Sequence, residues 1–80
     1  MLGTITYVSG RGWFFCKCDE DQSGVFVAQK NIEKRRYLQV DDRISFDRIP
    51  STKNPNDFEA INVKYLGHIV ARQIGSEVKQ

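Results

Sequence analysis

The residues best suited to chemistry in this 80-residue chain are aromatic rings bordered by basic side chains. In the segment from Arg11 to Lys17, Trp13 and Phe15 stand two residues apart, and Lys17 follows at the same spacing. Because successive side chains of a β-strand point to opposite faces, this spacing puts all three on one face. Flat rings edged with cations can stack unpaired bases and neutralise phosphates, so the pattern favours contact with single-stranded nucleic acid.

Two further rings belong to neighbouring apolar runs. Phe26 stands between Val25 and Val27, so it points outwards if the valines form the core. Tyr7 stands beside Val8, and one of the two must be exposed unless a bulge intervenes. Any one ring by itself is more often part of a core. Residues 13, 14 and 15 are all aromatic, however, and both faces of one strand cannot enter the same small core, so one face must be exposed and is expected to bind a partner.

Basic residues accompany these rings. Residues 1–18 contain two basic groups, Arg11 and Lys17, and no acid, whereas residues 30–36 contain four basic groups and one acid. We predict that Arg11, Lys17 and Lys30 contact phosphates. For the run of residues 34–36, a solvated loop and a phosphate-contacting surface are equally good interpretations. The formal net charge is only +2, so the local pattern matters more than the total.

Catalysis and metal binding are not expected. One histidine (His68) and two cysteines cannot supply a catalytic triad or four zinc ligands, and Asp41 and Asp42 fall in a predicted exposed turn.

A zinc half-site at Cys16 and Cys18, shared between two chains, is the less favoured alternative. Their side chains would lie parallel on one face of a strand, a poor geometry for a disulfide, so we expect free thiols and a cytoplasmic protein. The first ten residues predict neither a signal peptide nor a membrane span, and we expect no cofactor.

Five short runs rich in aromatic and β-branched residues predict β-strands. They span residues 3–8, 13–18, 25–28, 43–49 and 58–66. Five short strands are too few to build two sheets that cover each other, whereas closing one sheet on itself removes its exposed edges. The sequence therefore predicts an all-β, five-stranded antiparallel Greek-key OB barrel. We assign residues 1–66 to this domain and 67–80 to a C-terminal extension, in which Val70, Ile74 and Val78 have the spacing of a weak helix.

The order of these motifs resembles that of the cold-shock domain family over roughly residues 2–66. The matching segments are Arg11-Gly-Trp-Phe-Phe-Cys16 and Val25-Phe-Val-Ala-Gln29 for the two nucleic-acid motifs, Gly3-Thr-Ile-Thr-Tyr-Val8, Asp42-Arg-Ile-Ser-Phe46 and Ala60-Ile-Asn-Val63. The resemblance implies an OB barrel that binds single-stranded RNA or DNA. It implies stacking roles for Tyr7, Trp13, Phe15 and Phe26, and it puts Arg11 at the position of the family's lysine.

The chain departs from the family pattern at several positions. Ala28 and Gln29 replace a histidine and a phenylalanine, Phe14 replaces a glycine, and Thr6 replaces a lysine. Phe14 must therefore enter the core or crowd the strand. The loss of two rings, each contributing about 1–3 kcal/mol, predicts binding roughly tenfold to thousands-fold weaker than that of a typical member if nothing compensates.

The sequence thus predicts a non-catalytic protein that binds single-stranded RNA or DNA, acting as an RNA chaperone or a regulator of transcription or translation. The alternative is a protein-interaction or homodimerisation module on the same barrel, with the apolar residues of 67–80 packing on the partner. The sequence leaves the choice between RNA and DNA open, because a stacking platform accepts both.

Overall fold

Five strands form one closed sheet in the order β1-β2-β3-β5-β4. The computed structural model describes residues 1–53 and 56–68. The strands are β1 (Leu2–Val8), β2 (Trp13–Cys18), β3 (Gly24–Ala28), β4 (Asp42–Pro50) and β5 (Phe58–His68), and two short 3-10 helices, Gln29–Asn31 and Glu33–Arg35, lead from β3 towards β4. The predicted all-β, five-stranded barrel is confirmed.

One pairing in the barrel differs from the predicted antiparallel arrangement. β3 and β5 run parallel and are paired through Val25, Phe26 and Val27, whereas the other four pairings are antiparallel. An odd number of strands cannot alternate in direction all the way around a ring. A closed barrel of five strands must therefore contain at least one parallel pair.

Alternation along β2 and β3 separates the core from the surface. Phe14, Cys16 and Cys18 point inwards from β2, and Val25 and Val27 point inwards from β3. The rest of the buried apolar core consists of Ile5, Ile32, Leu38, Ile44, Phe46, Ala60 and Val63. Phe14 thus enters the core rather than crowding the strand, and Phe26 is left on the outside as predicted.

β5 contains an irregularity that the sequence patterns did not reveal. Ala60 and Val63 are both fully buried although they are three residues apart. Between them Asn62 adopts a left-handed conformation with φ 52°, and its side-chain nitrogen Nδ2 donates to Asp47 Oδ2 at 2.9 Å. Asparagine tolerates this conformation better than most residues. The resulting bulge returns Val63 to the core side.

The ends of β4 and β5 lie beyond the predicted strand limits. β4 includes Pro50, and β5 continues through Gly67 to His68. The histidine of the described residues, His68, contacts a buried acid, because its Nδ1 lies 2.7 Å from Oδ1 of Asp42. Residues 69–80, with their predicted helix, lie outside the described residues. Within residues 1–53 and 56–68, no helix is long and apolar enough to cross a membrane.

The two cysteines are free and buried, in agreement with the expected thiols. Burial, with smaller effects of Cys18 and Asp19, raises the pKa of the Cys16 thiol from 9.0 to about 12. The neutral thiol therefore favours the folded state. This contribution is complete below pH 9 and is lost as the pH rises from 9 towards 12.

We expect the thiols to be almost inert in the folded protein. A pKa increase from 9.0 to about 12 reduces the thiolate fraction of Cys16 on the order of 10³-fold at neutral pH. Reaction with an aromatic disulfide reagent should be correspondingly slow in buffer and fast in denaturant, and a Cys18→Ala variant isolates the reaction of Cys16. Native and denatured rates within tenfold of each other would contradict this assignment.

Candidate nucleic-acid interface

Four rings lie side by side on the outer face of β1, β2 and β3. We call Tyr7, Trp13, Phe15 and Phe26 the ring cluster. Strand register brings them together, because Phe15 pairs across the sheet with Tyr7 on one side and with Phe26 on the other. The structure thus unites the four residues to which the sequence assigned stacking roles.

A bulge in β1 is what turns Tyr7 outwards. Ile5 is fully buried, so strict alternation would direct Tyr7 into the core as well. The register with β2 shifts between Ile5 and Tyr7, leaving Thr6 as the extra residue. Tyr7 is consequently 52 % exposed, which resolves the choice between Tyr7 and Val8 that the sequence left open.

Trp13 is the centre of the ring cluster. Its ring centroid lies 5.6 Å from Tyr7, 5.5 Å from Phe15 and 5.9 Å from Phe26. Phe15 and Phe26 also meet edge to face at 5.9 Å. These are favourable distances for aromatic pairs, so the rings support one another while parts of their faces remain open to solvent. Phe15 is 39 % exposed, and Trp13 and Phe26 are partly buried.

A tight turn fixes the start of β2 and therefore the position of Trp13. Ser9 Oγ accepts hydrogen bonds from the backbone nitrogens of Arg11 (2.9 Å) and Trp13 (3.3 Å). Gly10 and Gly12 have φ values of 76° and 90°, which glycine adopts without the strain other residues incur. Arg11 lies exposed in this turn, next to the ring cluster in sequence.

The other predicted basic residues lie along the same side of the barrel. Lys17 is exposed on β2, two residues after Phe15 and on the same face. Lys30 is exposed just after β3 and lines a groove of about 730 Å³ together with Phe15 and Phe26. Cations therefore border the ring cluster at more than one edge.

That groove includes residues which the sequence analysis did not single out. Its opposite wall is formed by the β4–β5 connection and the start of β5, including Lys53, Asp57, Phe58 and Glu59. These residues are distant in sequence from the rings and approach them only because β3 and β5 pair in parallel. No local spacing signal could have identified them.

Two arginines of β4 form ion pairs with acids of the β2–β3 turn. Arg43 forms two hydrogen bonds to the Asp19 carboxylate, at 2.9 and 2.7 Å, and Arg48 reaches Asp21 at 2.7 Å. The bond from Arg43 lowers the pKa of Asp19. Hydrogen bonds from Ser23 and then Arg48 lower that of Asp21. These acids are thus partly compensated by positive charge.

Ala28 and Gln29, at the end of β3 and just after it, offer no ring to the ring cluster. Ala28 lies across from Trp13 and contributes no ring. Gln29 donates from its backbone nitrogen to the Gly12 carbonyl at 2.9 Å and from its side chain to the Arg35 carbonyl at 2.9 Å. Gln29 therefore ties the connection after β3 to the turn before β2, instead of offering a stacking surface.

Within residues 1–53 and 56–68, no three His, Cys, Asp or Glu side chains are grouped as a metal site would require.

Comparison with known proteins shows a similarity in fold. No family model and no curated protein matches this sequence. A solved structure of drosophila Unr CSD456 is similar, with a TM-score of 0.66 and 23 % sequence identity over 96 % of this chain. The chain spans 28 % of the length of that structure's chain. The architecture described above is therefore a closed five-stranded OB barrel, similar in fold to that solved structure.

Proposed function

We propose that the protein binds single-stranded RNA or DNA by stacking unpaired bases on the ring cluster. The observation that carries this proposal is the outward position of four contiguous rings on β1, β2 and β3, with Tyr7 52 % and Phe15 39 % exposed. Apolar groups of this size on the surface of a small domain are typical of binding sites. The cold-shock fold supports the same proposal, given the sequence resemblance.

The chemistry of the site selects single strands over duplexes. A base can stack on a protein ring only if its own face is free, whereas duplex bases are stacked on each other. Each base–ring contact is worth about 1–3 kcal/mol, and it tolerates any base because every base has a π face. The proposed binding is therefore broad in sequence preference.

The basic residues supply the second part of the interaction. Lys17 and Lys30 border the ring cluster, and Arg11 lies in the adjoining turn. Contacts with phosphates release bound counterions, so the affinity should fall as salt increases. The proposed role is binding without catalysis. It would suit an RNA chaperone or a regulator of transcription or translation, and the free buried cysteines support a reducing, cytoplasmic environment.

An oligonucleotide titration at two salt concentrations tests this function. Trp13 is the only tryptophan, so its fluorescence reports directly on the ring cluster. We expect single strands of RNA or DNA to quench this emission at micromolar concentrations, while duplexes of the same sequence bind much more weakly. The affinity should fall with salt, by a slope of about −0.7 per phosphate contacted. Equal binding of duplex and single strand, or none of either, would contradict the proposal.

A protein-interaction surface is the second candidate, supported by exposed apolar residues away from the rings. Leu2 and Leu66 are 44 % and 54 % exposed on β1 and β5. Gel filtration of the full chain and of a chain ending at His68 separates the candidates. A dimer that depends on residues 69–80 and is indifferent to oligonucleotide would favour this second function.

A further inference from the structure

A second groove begins where the ring cluster ends. It lies between the 3-10 helices and β5, measures about 530 Å³, and is lined on one side by Lys30, Asn31 and Glu33 and on the other by Asn62 and Lys64. We call it the lysine groove. Neither the sequence pattern nor the proposed stacking function accounts for it.

Lys30 connects this groove with the ring cluster. Lys30 lines both grooves, so it lies at their junction, between Phe15 and Phe26 on one side and Lys64 on the other. A strand that leaves the rings in the direction of β3 therefore meets Lys30 first and the lysine groove next.

Parallel pairing gives the combined surface a single direction. Phe26 pairs with Glu59 in parallel, and further on Ile32 forms a parallel bridge with Val63. The segment that follows Phe26 and the β5 segment that follows Glu59 therefore run in the same direction, from the rings to Lys64. Lys64 stands five positions after Glu59 in β5, a path of at most about 17 Å at about 3.3 Å per residue, since the bulge at Asn62 shortens it. Single-strand sites of 4–16 nucleotides per OB barrel leave room for a strand extending this far.

The chemistry of the lysine groove suits a sugar–phosphate backbone rather than bases. The residues named above include no aromatic ring, and the two ammonium groups outnumber the single carboxylate, Glu33. The amide nitrogens of Asn31 and Asn62 already donate to the Ala60 carbonyl and to Asp47, at 3.4 and 2.9 Å. Lys30 and Lys64 are the cationic groups that line this groove and can bind a phosphate. No salt bridge among the described residues involves either lysine.

We propose that a single strand stacked on the ring cluster continues past Lys30 into the lysine groove, where Lys64 binds one of its phosphates. This inference rests on the proposed function and extends it by a phosphate-binding subsite beyond the rings. It predicts a contact that only a longer oligonucleotide can make.

The test compares two lengths of labelled oligothymidylate, about four and about ten nucleotides, on the full chain by fluorescence anisotropy. We expect Lys64→Gln to weaken binding of the longer strand about threefold to tenfold, to reduce its salt slope by about 0.7, and to leave the shorter strand unchanged. Lys34→Gln is the matched control. It removes the same charge from an exposed position outside the residues lining either groove, and it should have little effect at either length.

The outcomes separate this inference from the function on which it rests. Equal losses in the Lys64→Gln and Lys34→Gln variants, or equal losses at both lengths, would overturn the subsite, because net charge would then explain the effect. An unchanged affinity of Trp13→Ala for the short strand would overturn the stacking function itself. Backbone amide NMR shifts of Lys64 that appear with the longer strand, but not with the shorter one, would provide independent support.

Discussion

Replacing Trp13 with alanine should weaken binding of a single-stranded oligonucleotide about 5- to 150-fold, which corresponds to the loss of about 1–3 kcal/mol of stacking. Trp13 offers its own ring to a base and also contacts Tyr7, Phe15 and Phe26, at centroid distances of 5.6, 5.5 and 5.9 Å. Its removal would therefore take away one platform and loosen the other three. We expect an effect at the upper end of the range.

The measurement uses the anisotropy of a labelled oligonucleotide, since the variant lacks the tryptophan signal. Leu66→Ala serves as the control, because Leu66 is an apolar surface residue, 54 % exposed, that lies on β5, away from the rings. Thermal unfolding of both variants shows whether the barrel is intact. Wild-type affinity in a folded Trp13→Ala protein would rule out stacking on the ring cluster as the mode of binding.

The inward and outward faces of β2 could be predicted from the sequence because they depend only on strand periodicity. Trp13, Phe15 and Lys17 had to share a face once residues 13–18 formed a regular strand, and β2 has no bulge within its pairing with β3. The same reasoning put Phe26 on the outside. For these positions, strand geometry alone determines which face of the sheet each side chain lies on.

Features that depend on bulges or on distant pairing could not be predicted in this way. The orientation of Tyr7 results from a register shift in β1, and the burial of Val63 results from the left-handed Asn62. Alternation alone gives no sign of either bulge. The contact of His68 with Asp42 joins residues 26 positions apart, and it exists because β5 continues two residues beyond its predicted end.

The lysine groove shows the same limit at the level of function. Lys30 was predicted from a basic stretch, but Lys64 stands in a strand with no basic neighbours and gave no signal. The two are brought to one groove by the parallel course of β3 and β5, which follows from closing five strands into a ring. A binding surface in such a barrel thus depends on closure as much as on local motifs.

The adjacent residues Phe14 and Phe15 should give opposite results when each is replaced with alanine. Phe14 is fully buried, and its ring meets Tyr37 edge to face at 5.3 Å. Deleting it leaves a cavity that should lower the free energy of unfolding by about 3–5 kcal/mol. That is a large part of the roughly 4–12 kcal/mol expected for a chain of this length.

Phe15→Ala is the matched variant, because it removes the same ring from the next position of the same strand. Phe15 is 39 % exposed, so its loss should cost the fold much less but should weaken oligonucleotide binding. Urea unfolding and oligonucleotide titration of both variants measure the two effects. If Phe15→Ala destabilises the barrel as much as Phe14→Ala does, the outer ring serves the fold. The separation of core and binding face along β2 would then be wrong.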